Sequence, residues 1–291
     1  MINADKLNHL IRKKSKEHNL DVELVYRNYM FERFLERISK SKYKNDFIVK
    51  GGYLIGSMIG VENRVTKDID MTFRDAKIEK QKLVDIFRDI SNIECDDEIR
   101  FEYKNIEEIR EQFDYPGYRI SFDALLQKTR IHLKMDVSTG DIIVPDAIDY
   151  NHKCMFEDKS IQIKSYSLET VLAEKIESII TWGIAGSRLR DYYDIYILTT
   201  LYHDGIDYSI LNSSLQAVSF KRGTINQVND YKNILVALAE DKQLQIGWSK
   251  FQKTYEYAQD IDFRDTILAI ENAFHEIFKY AMNHEQLNIP I

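Results

Sequence analysis

Residues 130–137 alternate strictly, with Ile131, Leu133, Met135 and Val137 apolar and Arg130, His132, Lys134 and Asp136 polar between them. That is the two-residue period of a strand with one buried face. Strand-like runs also occupy 65–73, 99–103 and 118–125, and a short one follows at 161–163. From there the spacing turns helical and stays so, through 168–182, 191–201 and weaker helices to near Phe278. A first part holding both periods and a second holding one make the chain α+β, a mixed sheet with helices followed by an all-helical domain. The border falls near Ser165, giving domains 1–165 and 166–291.

Within the first part, Val22, Val25, Tyr29, Phe34, Leu35 and Ile38 repeat at helical spacing, and residues 77–90 form an amphipathic helix. Between them Phe47-Ile48-Val49 is a short strand stopped by Gly51-Gly52, after which Tyr53, Leu54, Ile55 and Met58 start a helix. The 291 residues, 44% of them hydrophobic, suffice for a real core, and three prolines and eleven glycines mark no linker. The first twenty residues lack the apolar core of a secretory leader, and no window reaches a membrane span. Cys95 and Cys154 stand apart without metal or redox spacing, as suits a reducing compartment, and the expected location is the cytoplasm. A net charge of −7 argues against a generally basic nucleic-acid coat, although Arg12, Lys13, Lys14 and Lys16 form a local basic cluster. That cluster is equally ordinary as a solvated helix face.

The chemistry is concentrated in Asp68-Ile69-Asp70. On a strand the two acids share a face, where their repulsion is relieved by a hard cation such as Mg²⁺. Asp136 has the opposite parity to Met135 and Val137, so it can join that pair across the sheet. Three carboxylates can hold two metal ions for an in-line displacement, with Asp136 placed to take the proton of the attacking group. A solvated strand edge explains the same acids. Upstream, Gly51-Gly52 at a strand-to-helix turn lets backbone approach phosphate oxygens at a helix N-terminus, or is simply a tight turn. Gly56-Ser57 falls inside the following helix and is rejected as the phosphate turn.

Taken in order, Lys50-Gly51-Gly52, Arg64, Thr66, Asp68-Ile69-Asp70 and Asp136 resemble the nucleotidyltransferase core of the AbiEii/AbiGii toxins, enzymes of the DNA polymerase β type. Leu172-Ala173-Glu174-Lys175 and Arg190-Asp191-Tyr192-Tyr193-Asp194-Ile195-Tyr196 look like that family's later motifs, so the resemblance spans residues 50–198. Tyr53 departs from it, since such proteins often carry a small hydroxyl residue after the glycines. On the residues alone, Lys175 lies in an apolar helical stripe and must find an anion, either a triphosphate or a structural partner. Asp191 and Asp194 are neighbours on the next helix, as first-turn acids often are.

The resemblance implies a polymerase β-like sheet and transfer of a nucleotide from an NTP with Mg²⁺ or Mn²⁺. Asp68, Asp70 and Asp136 would bind metal, and Lys50, Gly51, Gly52, Arg64, Thr66 and Lys175 the nucleotide. Lys175 and Asp191 become active-site candidates at the junction of the two halves. It further implies a toxin of a toxin–antitoxin or abortive-infection system acting on RNA, with the tRNA 3′ end as acceptor. The antitoxin is separately encoded, and a DNA-binding protein forming no stable complex is one form it takes. Two alternatives stay open: a nucleotidyltransferase modifying a partner protein, and a non-catalytic module binding nucleotide or a partner.

Overall fold

The computed structural model describes residues 2–109, 117–186 and 188–285. The chain divides into two compact units, 1–141 with 147–165, and 142–146 with 166–291. The first is built on a seven-stranded mixed sheet. Its strands are β1 (Phe47–Lys50), β2 (Ile69–Phe73), β3 (Arg100–Ile109), β4 (Gly117–Leu126), β5 (Thr129–Thr139), β6 (Ile148–Lys153) and β7 (Ser160–Ser165). They lie in the order β3-β4-β5-β2-β1-β7-β6, with β2 parallel to β5, β1 parallel to β7, and the remaining pairs antiparallel.

Helices α1 (Ala4–Glu17), α2 (Val22–Lys40), α3 (Gly51–Ile59) and α4 (Lys80–Ser91) accompany the sheet. Asp21 caps α2 by accepting from the amides of Glu23 and Leu24, which fixes where that helix begins. Its apolar side lies on β5 and β7, and α4 packs on β3. Phe34 of α2 joins Phe87 of α4, Phe101 of β3 and Phe122 of β4, each ring 5.1 Å away. The alternating residues Ile131, Leu133, Met135 and Val137 are all buried. Two buried arginines of α2 reach outward from this core: Arg37 grips both oxygens of Asp97, and Arg33 bonds Glu32, Glu36 and Glu157.

Three elements differ from the sequence expectation. The strand expected over 65–73 begins only at Ile69. The preceding residues are held by side chains instead: Asn28 of α2 donates to the Thr66 carbonyl, and the Thr66 hydroxyl bonds the Asp68 carbonyl and carboxylate. Asp68 therefore stands just before β2, not on it. Strand β3 runs on to Ile109, its register shifting between Tyr103 and Asn105, a bulge that breaks the alternation on which the shorter span was read. Strand β6 was not expected because Ile148–Lys153 is an edge strand with only His152 buried, so its residues carry little apolar period.

The second unit is helical: α5 (Leu168–Trp182), α6 (Leu189–Leu201), α7 (Tyr208–Arg222), α8 (Ile225–Asn229), α9 (Tyr231–Glu240), α10 (Lys242–Thr254) and α11 (Phe263–Glu285). Helix α5 packs on α6 and α7, and α11 on α6, α7 and α9. The segment 142–146 belongs with these helices because the Val144 carbonyl accepts from the hydroxyls of Thr170 and Ser214, both at 3.1 Å. Buried Glu177 accepts from Thr181 and Thr224 and pairs with Arg222, which ties α5 to α7 and the start of α8. Among the described residues no helix is long and apolar enough to cross a membrane.

Candidate active site

The register of the sheet sets five ionisable side chains in one row. Lys50 of β1 is opposite Asp70 of β2, Asp70 opposite Asp136 of β5, Asp136 opposite Arg119 of β4, and Arg119 opposite Glu107 of β3. Register partners project to the same face, on strands about 4.8 Å apart. Every step along the row joins opposite charges except one, Asp70 beside Asp136. Like charges directly across a strand pair destabilise it unless something positive compensates. Asp68, two residues before Asp70, adds a third carboxylate, half-buried as the other two are.

Arg119 supplies part of the compensation. Its Nε and Nη2 donate to the two carboxylate oxygens of Asp136 at 2.7 and 2.6 Å, a bidentate pair. Those hydrogen bonds push the guanidinium above its ordinary range despite the desolvation that opposes it, with Asp136, Asp68 and Glu107 adding their charges. A cation is thus favoured at this spot by three acids. Carboxylate oxygens are the hard donors that Mg²⁺ and Mn²⁺ take, so Asp68, Asp70 and Asp136 fit such an ion in kind. Among the described residues no three acids, histidines or cysteines are already drawn together at ligand distance, and Asp136 is turned to its arginine.

Behind this row lies a second polar cluster. The Asp141 carboxylate accepts from Lys50 Nζ at 2.5 Å, Thr72 Oγ1 at 2.6 Å and Ser138 Oγ at 2.5 Å. Thr72 and Ser138 are register partners two residues beyond Asp70 and Asp136, hence on the same face. Burial opposes the Asp141 charge, but the Lys50 ammonium and these donors outweigh it and hold the carboxyl well below the usual range. Lys50, expected to bind nucleotide, is accordingly engaged by Asp141.

The glycines serve a close approach by the protein's own groups. Gly51 has φ +64°, and a Cβ there would collide with the Asp70 carboxylate; a Cβ on Gly52 would come within 2.8 Å of Arg64 Nη2. The start of α3 thus rests directly on Asp70 and Arg64. Buried Arg64 donates to the Val65 carbonyl at 2.7 Å, and Thr66 bonds Asp68 at 3.0 Å, so both residues shape the loop that carries the acids. Tyr53 is a core residue, edge-on to Phe31 and tilted over His152. Gly56 and Ser57 lie within α3, where Ser57 bonds Tyr150 and His152.

Lys50, Gly51, Gly52, Arg64, Thr66, Asp68, Asp70 and Asp136 are all in the first unit. Lys175 and Asp191 are in the second, on α5 and α6. There Lys175 Nζ is 2.5 Å from Asp191 and 2.8 Å from fully buried Asp194. Three residues escaped the sequence reading as members of these clusters: Arg119, Asp141 and Asp194. Arg119 was accessible in principle, because a two-residue turn at Gln127-Lys128 puts it opposite Asp136. Asp141, beyond a glycine after the strand, gave no such signal.

The fold is similar to that of JHP933 from Helicobacter pylori, over 93% of this chain and all of that one, with a TM-score of 0.56 and 12% identity. A candidate nucleotidyltransferase from the same organism aligns over 93% of this chain and the whole of its own, with a TM-score of 0.50 and 16% identity. At these identities the likeness is one of fold. No curated protein matches the sequence. The family model of the AbiEii toxin, a nucleotidyl transferase of type IV toxin–antitoxin systems, matches residues 33–276, from the middle of α2 into α11. The chain belongs to this AbiEii nucleotidyl transferase toxin family.

Proposed function

We propose that this toxin transfers a nucleoside monophosphate from an NTP to a hydroxyl of RNA, with the 3′ end of tRNA as acceptor. The observation that carries the reading is the adjacency of Asp70 and Asp136 in register, with Asp68 beside them, the one like-charge step in the row. Asp68, Asp70 and Asp136 would hold Mg²⁺ or Mn²⁺, which supplies charge neutralisation at the transferring phosphate and the departing pyrophosphate. The acceptor oxygen attacks the α-phosphorus, its new P–O bond replacing the bond to the bridging oxygen. The electrons of that broken bond leave with pyrophosphate. The hydroxyl proton passes to the Asp136 carboxylate, the base of the step. Lys175 and Asp191 are proposed to serve the triphosphate, and Gly51 and Gly52, with Lys50, Arg64 and Thr66, to shape the nucleotide subsite.

RNA as acceptor rests on the family's toxin character and not on a basic surface. Of the early basic cluster, Lys14 pairs with Glu62 and Lys13 with Glu17. The partner that restrains the toxin is a separately encoded antitoxin, proposed to be a DNA-binding protein that forms no stable complex with it. The test is incubation with each labelled NTP, Mg²⁺ or Mn²⁺, and either total RNA or cell protein, followed by separation of labelled species. Label in tRNA that disappears with excess chelator is the expected result. Label in protein would replace RNA with a protein acceptor, and absence of turnover with every NTP would leave a binding module.

A further inference from the structure

Arg119 occupies both oxygens of an acid proposed to bind metal, so the two cations compete for Asp136. A carboxylate held bidentately at 2.7 and 2.6 Å offers its better lone pairs to the guanidinium, and a divalent ion placed nearby would repel that guanidinium. The arginine has somewhere to go. On its other side, in register on β3, stands Glu107, whose carboxylate accepts from Asn105 at 3.0 Å and is exposed. About a third of the Arg119 side chain is open to solvent, which leaves it free to turn. The row thus offers the guanidinium two carboxylates, one on each neighbouring strand.

We propose that Arg119 is a displaceable counter-ion, which neutralises Asp136 in the metal-free toxin and passes to Glu107 when a divalent cation takes Asp136. This rests on the reading of Asp68, Asp70 and Asp136 as metal ligands and adds what governs their occupancy. With Asp136 paired, the sheet avoids placing two bare carboxylates side by side before metal arrives. With Glu107 waiting, releasing Asp136 does not strand a charged arginine. Arg119 is a positioning residue in this scheme, setting how readily the site loads.

The scheme gives the two partners opposite signs. Mn²⁺ binding to the purified toxin without nucleotide, read as loss of free-Mn²⁺ signal by electron paramagnetic resonance, measures both. Arg119→Ala should bind Mn²⁺ about fivefold more tightly than wild type, as expected from removing one nearby unit charge, and Arg119→Lys should fall between them. Glu107→Gln should bind about threefold more weakly, since the displaced arginine loses its second partner. In the Arg119→Ala background, Glu107→Gln should then have no effect, because its influence passes through the arginine. A Glu107→Gln effect that persists there would be a simple through-space charge effect and would overturn the proposal. So would unchanged or weaker Mn²⁺ binding by Arg119→Ala. Asp70→Asn separates the two levels: if wild type binds Mn²⁺ and Asp70→Asn does not, the metal reading stands whatever Arg119 does. If wild type binds none, both fall.

Discussion

Asp70 and Asp136 stand opposite each other on parallel strands, two like charges adjoining in a row whose other neighbours alternate in sign. A sheet that needed only stability would not keep that pair. Removing either Asp68 or Asp70 should therefore leave the fold intact, and Asp70→Asn should be no less stable than wild type because a repulsion disappears. Transfer should fall about a thousand-fold or more, a loss of roughly 4 kcal/mol of transition-state stabilisation. Thermal unfolding together with labelled-NTP transfer reads both. Wild-type rates from either folded variant would remove the acids from the chemistry.

Asp141 predicts an acid dependence of stability. Its folded carboxyl titrates below the unfolded value of about 4, so its contribution is fully present above that pH and drains away as the pH falls. Asp141→Asn strands the Lys50 ammonium and should cost about 3 kcal/mol at neutral pH. It should also flatten the stability profile below about pH 4. Denaturant unfolding from pH 3 to 7 tests this, and an unchanged slope in the variant would contradict it.

Lys175 is clamped between Asp191 and Asp194, and the two acids differ in depth. Because Asp194 is fully buried, Lys175→Ala leaves a charge without solvent and should lose about 3 kcal/mol of stability. Asp191→Ala leaves the lysine still paired with Asp194, so its cost should be nearer 1 kcal/mol. If the pair also serves the triphosphate, transfer per folded molecule drops in both variants. Large destabilisation with undiminished transfer would confine Lys175 and Asp191 to holding α5 against α6.

Gly51→Ala confronts two obstacles, a left-handed backbone that costs an L-residue about 1–2 kcal/mol and the Asp70 carboxylate where the methyl would go. Lower stability should come with a loss of transfer, since the carboxylate must shift. An Ala variant with normal transfer would mean that the position of Asp70 under the turn is immaterial.

The alternation at residues 130–137 and its break after Ile163 made the α+β arrangement legible, because a buried face imposes its period on the residues that line it. Parity also put Asp136 on the polar face. What parity could not give was the neighbour of each strand: β2 lies beside β5 and β1 beside β7 through connections that no local pattern encodes. Asp68 was placed on a strand because its composition allows one, whereas Asn28, from a distant helix, takes the carbonyl that a ladder would have used. Asp141 and Asp194 lacked a signal for a related reason. Their partners come from other segments, and a single acid beside a turn or in a helix is ordinary by itself.

The parallel pairing of β2 with β5 also sets an order in time. Asp68 and Asp70 leave the ribosome well before Asp136, and the strands that carry them become neighbours only after the β3-β4-β5 meander has been made. A growing chain therefore holds its acids as separate, unassembled parts, as does any fragment ending before β5. In a toxin, this means that the cell making it meets the assembled triad only from chains whose sheet has closed around both distant strands, and never from aborted ones.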